Sequence, residues 1–274
     1  MKTGYWMAVA ILGTAPALAW GDECRFRAER TGVADISGVH KVVIHAGAGD
    51  LKVNGHGGAT RVEAHGIACA GNQDLLDATQ VSVRREGDVL LVETAIPQTS
   101  SYAYIDLGIS LPDDLPVEAI DSSGDATFEK LHALNLTDSS GDLTLRQIAG
   151  ALELTDSSGD IGIDGAGSVK LSDSSGDLQI RHVRGDVEVL VDTSGDMRIS
   201  DVDGNVVVQQ DTSGNIRVEE VKGSVTVNSD SSGDIYAGRV GGDFTVRQKG
   251  SGGIEHGEIG GRISLPPGHE RDEK

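Results

Sequence analysis

Apolar and polar residues alternate through most of the chain, and this alternation restarts at regular intervals. Between residues 121 and 252, the sequence DSSGD or a close variant of it returns every 17 to 19 residues. The second and fourth residues after each motif glycine are apolar, as in Leu143 and Leu145. A further apolar position, a second glycine and a second alternating pair, such as Leu152 and Leu154, complete the repeat. Each repeat therefore predicts a strand, a turn, a second strand and a second turn.

Equivalent residues recur in the same order instead of mirroring one another, so the repeats predict stacked coils and not hairpins. Coils stacked about 4.8 Å apart form parallel ladders in which like residues lie beside like. One coil buries about five aliphatic side chains, each contributing roughly 1.5–3 kcal/mol. Ordering the backbone of a coil costs about 1–2 kcal/mol per residue, so a coil is stable only within a stack. We therefore predict an all-β protein, a single-stranded parallel β-helix (β-solenoid) of 17–19-residue coils.

The same patterns divide the chain into four segments. Residues 1–19 combine a basic residue, a short apolar run and a small-residue cleavage motif, which together predict a signal peptide. Residues 20–115 have a less regular β pattern, and we expect them to contain the first coil or coils and to cap the stack. Residues 116–266 hold the solenoid repeats, and residues 267–274 form a polar C-terminal tail. We therefore expect an exported protein, periplasmic or extracellular, without a membrane span.

Composition and charge narrow the class of protein and of partner. The chain has 38 glycines and only 3% aromatic residues, as a narrow core of stacked aliphatic side chains requires. Its formal net charge of −20 opposes nucleic-acid binding and favours cationic partners. The two cysteines, Cys24 and Cys69, lack the spacing of a metal site, and in an oxidising compartment they predict one disulfide bond. Two free buried thiols are the alternative.

The repeat also places aspartates in two columns, one before and one after the motif glycine. The simplest interpretation is turn chemistry, because Asp and Ser side chains accept backbone N–H bonds and glycine supplies positive φ. Stacked carboxylates also repel one another, and weakly bound calcium would relieve the repulsion. Calcium-binding β-rolls carry acidic motifs at both corners, whereas we expect no matching acids at the second corner here. The candidate turn or cation-binding residues are Asp121, Asp125, Asp138, Asp142, Asp156, Asp160, Asp173, Asp177, Asp192, Asp196, Asp211, Asp230 and Asp234.

No constellation of residues predicts catalysis. The acids of a sugar-cleaving site would depart from the repeat on one face, whereas these acids are periodic. Arg146, Arg181, Arg198 and Arg217 alternate outward along the first strands and are expected to balance neighbouring acids. The eight histidines show no metal-ligand spacing, and the Ser-Gly pairs recur where a nucleophile is needed once. We therefore predict that the protein is not an enzyme and carries no cofactor.

Residues 111–125, LPDDLPVEAIDSSGD, are followed by repeated SSGD-aliphatic-x-aliphatic turns. This pattern resembles a bacterial family of adhesin-like proteins whose β-strand repeat domain, of unknown function, is called the toast-rack domain. The resemblance covers nearly the whole mature chain. It implies a single-chain parallel β-helix in the cell envelope, with roles in adhesion or envelope stress, and it supplies no catalytic residues.

Together these observations predict a non-catalytic binding or structural module of the cell envelope. Its partner would be an envelope or surface ligand, which the acidic charge suggests is cationic, and the chain would be monomeric or weakly self-associating. Two alternatives stay open at this point. One is a calcium-stabilised adhesive repeat protein, and the other is a carbohydrate-active β-helix enzyme.

Overall fold

The computed structural model describes residues 24–99 and 101–268. The predicted signal peptide and the last six residues of the predicted tail lie outside the described residues. Within these ranges the chain folds into 24 strands and one six-residue helix. The structure confirms the predicted all-β class.

The first part of the described chain contains eight strands and the helix. They are β1 (Phe26–Asp35), β2 (Lys41–His45), β3 (Leu51–His56), β4 (Arg61–Ala70), α1 (Gln73–Ala78), β5 (Gln80–Glu86), β6 (Val89–Ala95), β7 (Ala103–Pro112) and β8 (Pro116–Ile120). The helix begins after Asn72, whose Oδ1 accepts the N–H of Leu75 at 2.9 Å, so its first turn is capped. No helix among the described residues has the length and apolar composition needed to cross a bilayer.

The remaining strands belong to the DSSGD repeats. They are β9 (Ala126–Leu131), β10 (Ala133–Thr137), β11 (Leu143–Thr155), β12 (Ile161–Ser172), β13 (Leu178–Val183), β14 (Val187–Val191), β15 (Met197–Val202), β16 (Val206–Val208), β17 (Ile216–Val221), β18 (Val225–Val227), β19 (Asp230–Ser232), β20 (Ile235–Val240), β21 (Phe244–Val246), β22 (Lys249–Ser251), β23 (Ile254–His256) and β24 (Ile263–Ser264). β11 and β12 each span both strands of one coil without a break, whereas in the later coils the two strands are separate.

Two parallel strand ladders run the length of the stack. The first contains β7 and the strands that follow a glycine turn, in the order β7, β3, β9, β11, β12, β13, β15, β17, β20 and β23. The second runs β6, β2, β8, β10, β11, β12, β14, β16, β18, β21 and β24. Like residues pair with like, as Leu143 does with Ile161 and Ile161 with Leu178. The predicted parallel stack of coils is confirmed.

The coils at the N-terminal end are not stacked in chain order. The coil formed by β2 and β3 lies between the β6–β7 coil and the β8–β9 coil. Strand β4 pairs antiparallel with β7, β1 with β4, and β5 with β6. These three strands therefore cover the first edge of both strand ladders. A disulfide bond joins Cys24 to Cys69 on β4, as predicted.

Alternate side chains of every ladder strand point into one continuous aliphatic core. In the first ladder, Leu145, Ile163 and Ile180 are stacked in register and fully buried. Phe128 and Phe244 are the largest buried side chains. The core is narrow because each coil contributes few inward positions, so hydrophobic stabilisation grows with the number of coils.

The backbone turns at two columns of residues with positive φ. The motif glycines from Gly124 to Gly233 have φ between 114° and 135°. A Cβ added to Gly176 would lie 1.9 Å from the carbonyl oxygen of Gly159 in the preceding coil, so stacking as well as conformation requires glycine there. The second column has no common residue type. It consists of Lys130, Gln147, Gly165, His182, Asp201, Glu220 and Arg239, of which the six that are not glycine have φ of 54–58°.

Candidate functional site

The DSSGD motifs form two rows of aspartates beside the motif glycines. The inner aspartate row precedes the glycines and consists of Asp121, Asp138, Asp156, Asp173, Asp192, Asp211 and Asp230. The outer aspartate row follows them and consists of Asp125, Asp142, Asp160, Asp177, Asp196, Asn215 and Asp234. The two rows differ sharply in burial, because the inner side chains are at most 2% exposed while most of the outer ones lie at the surface.

The inner aspartate row is only partly explained by turn chemistry. Asp121 accepts the N–H of Ser122 at 2.9 Å and Asp173 accepts that of Ser175 at 3.2 Å, as the turn interpretation expects. At Asp138 and Asp192, neither carboxylate oxygen has a donor in hydrogen-bond geometry among the described residues. A buried carboxylate without such donors is unfavourable in its charged form. The inner row therefore favours the protonated acid.

Burial raises the pKa of six of the seven inner carboxyls, those from Asp121 to Asp211. Burial is the main cause, and it raises the pKa of Asp121 to about 6. At three further residues of the row, the charge of neighbouring aspartates adds to the effect of burial. The pKa of Asp173 is raised to about 6, and the pKa values of Asp192 and Asp211 are each raised to about 7. Burial likewise raises the pKa of Asp138 and of Asp156. Near neutral pH the row thus holds protons that ordinary aspartates have lost.

The inner aspartate row ends at a lysine. Lys249 lies directly opposite Asp230 in the pairing of β22 with β19. Its Nζ lies 3.0 Å from Oδ2 of Asp230, and both side chains are completely buried. The Nζ also donates to the carbonyl oxygen of Gly233 at 2.6 Å and to that of Ser251. Sequence reasoning missed this residue, although Lys249 follows Asp230 at the same interval of 19 residues that separates Asp211 from Asp230.

The outer aspartate row connects successive coils through hydrogen bonds. Oδ1 of Asp142 accepts the N–H of Asp160 at 3.0 Å, and Oδ1 of Asp160 accepts the N–H of Asp177 at 2.9 Å. Asn215 takes part in the same way, since its Oδ1 accepts the N–H of Asp234 at 3.0 Å. These bonds cross from coil to coil, whereas the sequence suggested bonds within one turn. Each aspartate uses its Oδ1 for this bond.

The second corner carries a shorter row of acceptors. Oδ1 of Asp186 accepts the N–H of Asn205 at 2.7 Å, and Oδ1 of Asn205 accepts that of Ser224 at 2.9 Å. The hydroxyl of Ser224 then accepts the N–H of Asp243 at 3.0 Å. The expectation that this corner has no matching acids is therefore wrong for Asp186 and Asp243, which are separated by two neutral residues. In the described chain, no cluster of three or more His, Cys, Asp or Glu side chains has the arrangement of a metal site.

The four arginines singled out in the sequence all form ion pairs on the outer face of the stack. Arg146 pairs with Glu129 at 3.0 Å, Arg181 with Asp164 at 3.2 Å, Arg198 with Asp196 at 3.0 Å and Arg217 with Glu219 at 2.8 Å. The Arg217 guanidinium also lies 4.3 Å from the centre of the Tyr236 ring. The expectation that they balance neighbouring acids is confirmed. Exposed pairs of this kind contribute about 0–1 kcal/mol each.

Comparison with known proteins relates the chain to a described domain. The model of the family Toastrack DUF4097 matches residues 79–235. No curated protein matches the chain. A "putative cell adhesion protein" from Clostridium sporogenes is 12% identical, with a TM-score of 0.33 over 88% of this chain and 99% of that one. A "putative lipid binding protein" from Parabacteroides distasonis is 15% identical, with a TM-score of 0.35 over 87% and 96% of the two chains.

Proposed function

The chain belongs to the Toastrack DUF4097 family, and on this premise we propose that it is a non-catalytic, exported β-solenoid that serves as a binding or structural module of the cell envelope. The start of the sequence supports export, because residues 1–19 have the composition of a signal peptide. The regularity of the stack supports a non-catalytic role. Every candidate acid belongs to a repeated column, whereas catalysis needs groups that occur once in a defined arrangement.

The observation that carries this proposal is the exposed part of the outer aspartate row. Asp125, Asp142, Asp160 and Asp177 are exposed on four successive coils, about 4.8 Å apart along the stack. The hydrogen bond between each aspartate and the next coil fixes its position. A rigid surface with repeated, equally spaced carboxylates is suited to a partner that also repeats its charges, such as a basic polypeptide or a polymer bearing amino groups.

The surroundings of this row support a cationic partner. Asp142, Asp160 and Asp177 line a shallow groove together with Arg198, which is 3.8 Å from Asp177. Arg198 thus lies at the C-terminal end of the groove, and within the described part of the chain no ion pair involves Asp142 or Asp160. The whole chain carries a formal charge of −20, so long-range attraction also steers cations toward this surface.

Sedimentation with isolated cell-envelope fractions tests the proposal. We expect the purified mature protein to bind at low salt and to dissociate as ionic strength screens the charges. Replacing Asp142, Asp160 and Asp177 with Asn should weaken binding roughly tenfold, or about 1.4 kcal/mol. A matched control removes three exposed acids outside the groove, as Asp88→Asn, Asp114→Asn and Glu153→Gln. Equal loss in both triple variants would refute the role of the outer row, and retention of an uncleaved N-terminus in the cytoplasm would refute export.

A further inference from the structure

Three ionisable side chains meet at the last position of the inner aspartate row. Asp211 and Asp230 lie in register on adjacent coils, joined by a parallel backbone bridge. Lys249 follows on the next coil, with its Nζ 3.0 Å from Oδ2 of Asp230. All three side chains are shielded from solvent. At this position of the described solenoid, the primary amine of Lys249 lies next to the row of buried carboxyls.

We propose that Lys249 and Asp230 form an intramolecular amide (isopeptide) bond between their side chains, with Asp211 transferring the proton. This inference is independent of the proposed envelope function, because it concerns the covalent structure of the chain itself. Lys249 takes the position in this row that an aspartate takes in the preceding coils.

The reaction needs no oxidant, reductant or cofactor. A proton first moves from the Lys249 ammonium to the Asp230 carboxylate, which removes both charges from a site shielded from solvent. The neutral Nζ then attacks Cγ of Asp230 and forms a C–N bond. Asp211 gives a proton to the departing hydroxyl group and receives one from the attacking nitrogen. One C–O bond breaks, one water molecule leaves, and the amide remains.

The contacts around Lys249 prepare its nitrogen for this attack. The carbonyl oxygens of Gly233 and Ser251 accept two of its N–H bonds. After the first proton transfer, the remaining lone pair is therefore free for the neighbouring carboxyl of Asp230. Holding an amine and an acid together in this way replaces a bimolecular encounter and removes much of its entropic cost.

Asp211 has the properties that a proton relay needs. Burial and the charges of Asp192 and Asp230 raise the pKa of its carboxyl to about 7. A group with a pKa near ambient pH both donates and accepts a proton readily. The product also removes a buried ion pair, which is costly to keep away from water, and its amide N–H still has a carbonyl acceptor nearby.

Mass spectrometry of the purified full-length protein tests the bond directly. We expect an intact mass lower by one water molecule than the sequence and the disulfide require. Trypsin should fail to cleave after Lys249, and residues 223–239 should be recovered joined to residues 248–262. Fragmentation of the joined peptide should place the link between Asp230 and Lys249. An unmodified mass with two separate peptides, after prolonged incubation of the folded protein at mildly acidic pH, would overturn the proposal.

Two variants distinguish this bond from other losses of water. Lys249→Arg keeps the positive charge but removes the nucleophilic amine, so the protein should regain the full mass. Asp211→Asn keeps the size of the side chain but removes the transferable proton, so the linked fraction should fall at least several-fold. Loss of water that persists in Lys249→Arg would indicate a cyclised aspartate instead and would refute the bond. If Lys249→Arg does not fold, the peptides of the unaltered protein still decide the question.

Discussion

At the scale of single residues, the same amino acid serves two purposes on either side of one glycine. The inner aspartates are buried, and burial raises the pKa of carboxyls such as Asp192, whereas the outer aspartates accept backbone N–H bonds from the next coil. The sequence predicts both columns because they repeat. It does not predict which column is buried, since the inward or outward direction depends on how the corner turns and not on the type of residue.

Stability should fall as the pH rises, because of the inner aspartate row. Burial and nearby charge hold the pKa of Asp192 at about 7, well above its ordinary value in the unfolded chain. Between about pH 4 and about pH 7, the native state binds more protons than the unfolded state. The free energy of unfolding therefore decreases as the pH rises through this range. We expect a higher melting temperature at about pH 5 than at about pH 8 by circular dichroism.

A single substitution tests this pH dependence. Asp192→Asn removes the charge with little change in size and should stabilise the protein at about pH 8 by roughly 1–2 kcal/mol. The exposed Asp177→Asn variant is the matched control and should change the pH dependence little. A melting temperature that rises steadily from pH 5 to pH 8 in the parent protein would contradict the raised pKa values.

Asparagine should replace the outer aspartates without loss of stability. Asn215 already accepts an N–H of the next coil as the aspartates do. Replacing Asp142, Asp160 and Asp177 with Asn therefore keeps these hydrogen bonds and removes the repulsion between neighbouring charges. We therefore expect the triple variant to be as stable as the parent, or more stable at low salt. Millimolar calcium should stabilise the parent no more than magnesium does. A saturable calcium isotherm, with destabilisation of the variant that appears only in calcium, would instead support the calcium-dependent alternative.

At the scale of elements, a coil can be predicted from the sequence wherever it repeats its pattern. The strands after each motif glycine and the parallel pairing follow from the spacing of apolar residues, such as Ile161 and Leu178. The second column of positive φ could not be predicted, because it holds residues as different as Lys130 and Gln147. The helix after Asn72 could not be predicted either, because six residues are too few to show a helical period of apolar positions.

Removal of one interior coil should leave a folded but less stable protein. Deleting residues 176–194 takes out β13 and β14 and joins two serine-glycine turns, so β12 can pair with β15 and β16 through equivalent residues. Circular dichroism should still show β-structure, with a lower melting temperature because less apolar surface is buried. Deletion of β2 and β3 is the instructive comparison. These strands separate the β6–β7 coil from the β8–β9 coil, so their loss should disrupt the N-terminal end. Complete unfolding after removal of the interior coil would contradict the modular stack.

At the scale of the whole molecule, one disulfide bond ties the start of the described chain to the strands that cover the stack. Cys24 and Cys69 are 45 residues apart, and closure of a loop of this length contributes about 4 kcal/mol in the chain-entropy model. Thiol titration of the denatured, unreduced protein should find no free thiol. Reduction should lower the unfolding midpoint, and hydrogen exchange should increase chiefly in β1 and β4. Two titratable thiols in exported protein would contradict the pairing.

The insertion of β2 and β3 between later coils separates the order of synthesis from the order of assembly. Both neighbours of β2 lie further along the chain, in β6 and β8, and both neighbours of β3 lie in β7 and β9. The first coil to be made therefore gains its first complete neighbour only once residue 112 has emerged, and its second only once residue 131 has. Pairing between such distant segments is slow. A polypeptide that crosses a membrane through a narrow channel, N-terminus first, would gain from this delay, because the segment of β2 and β3 stays unpaired until most of the cap has followed it through.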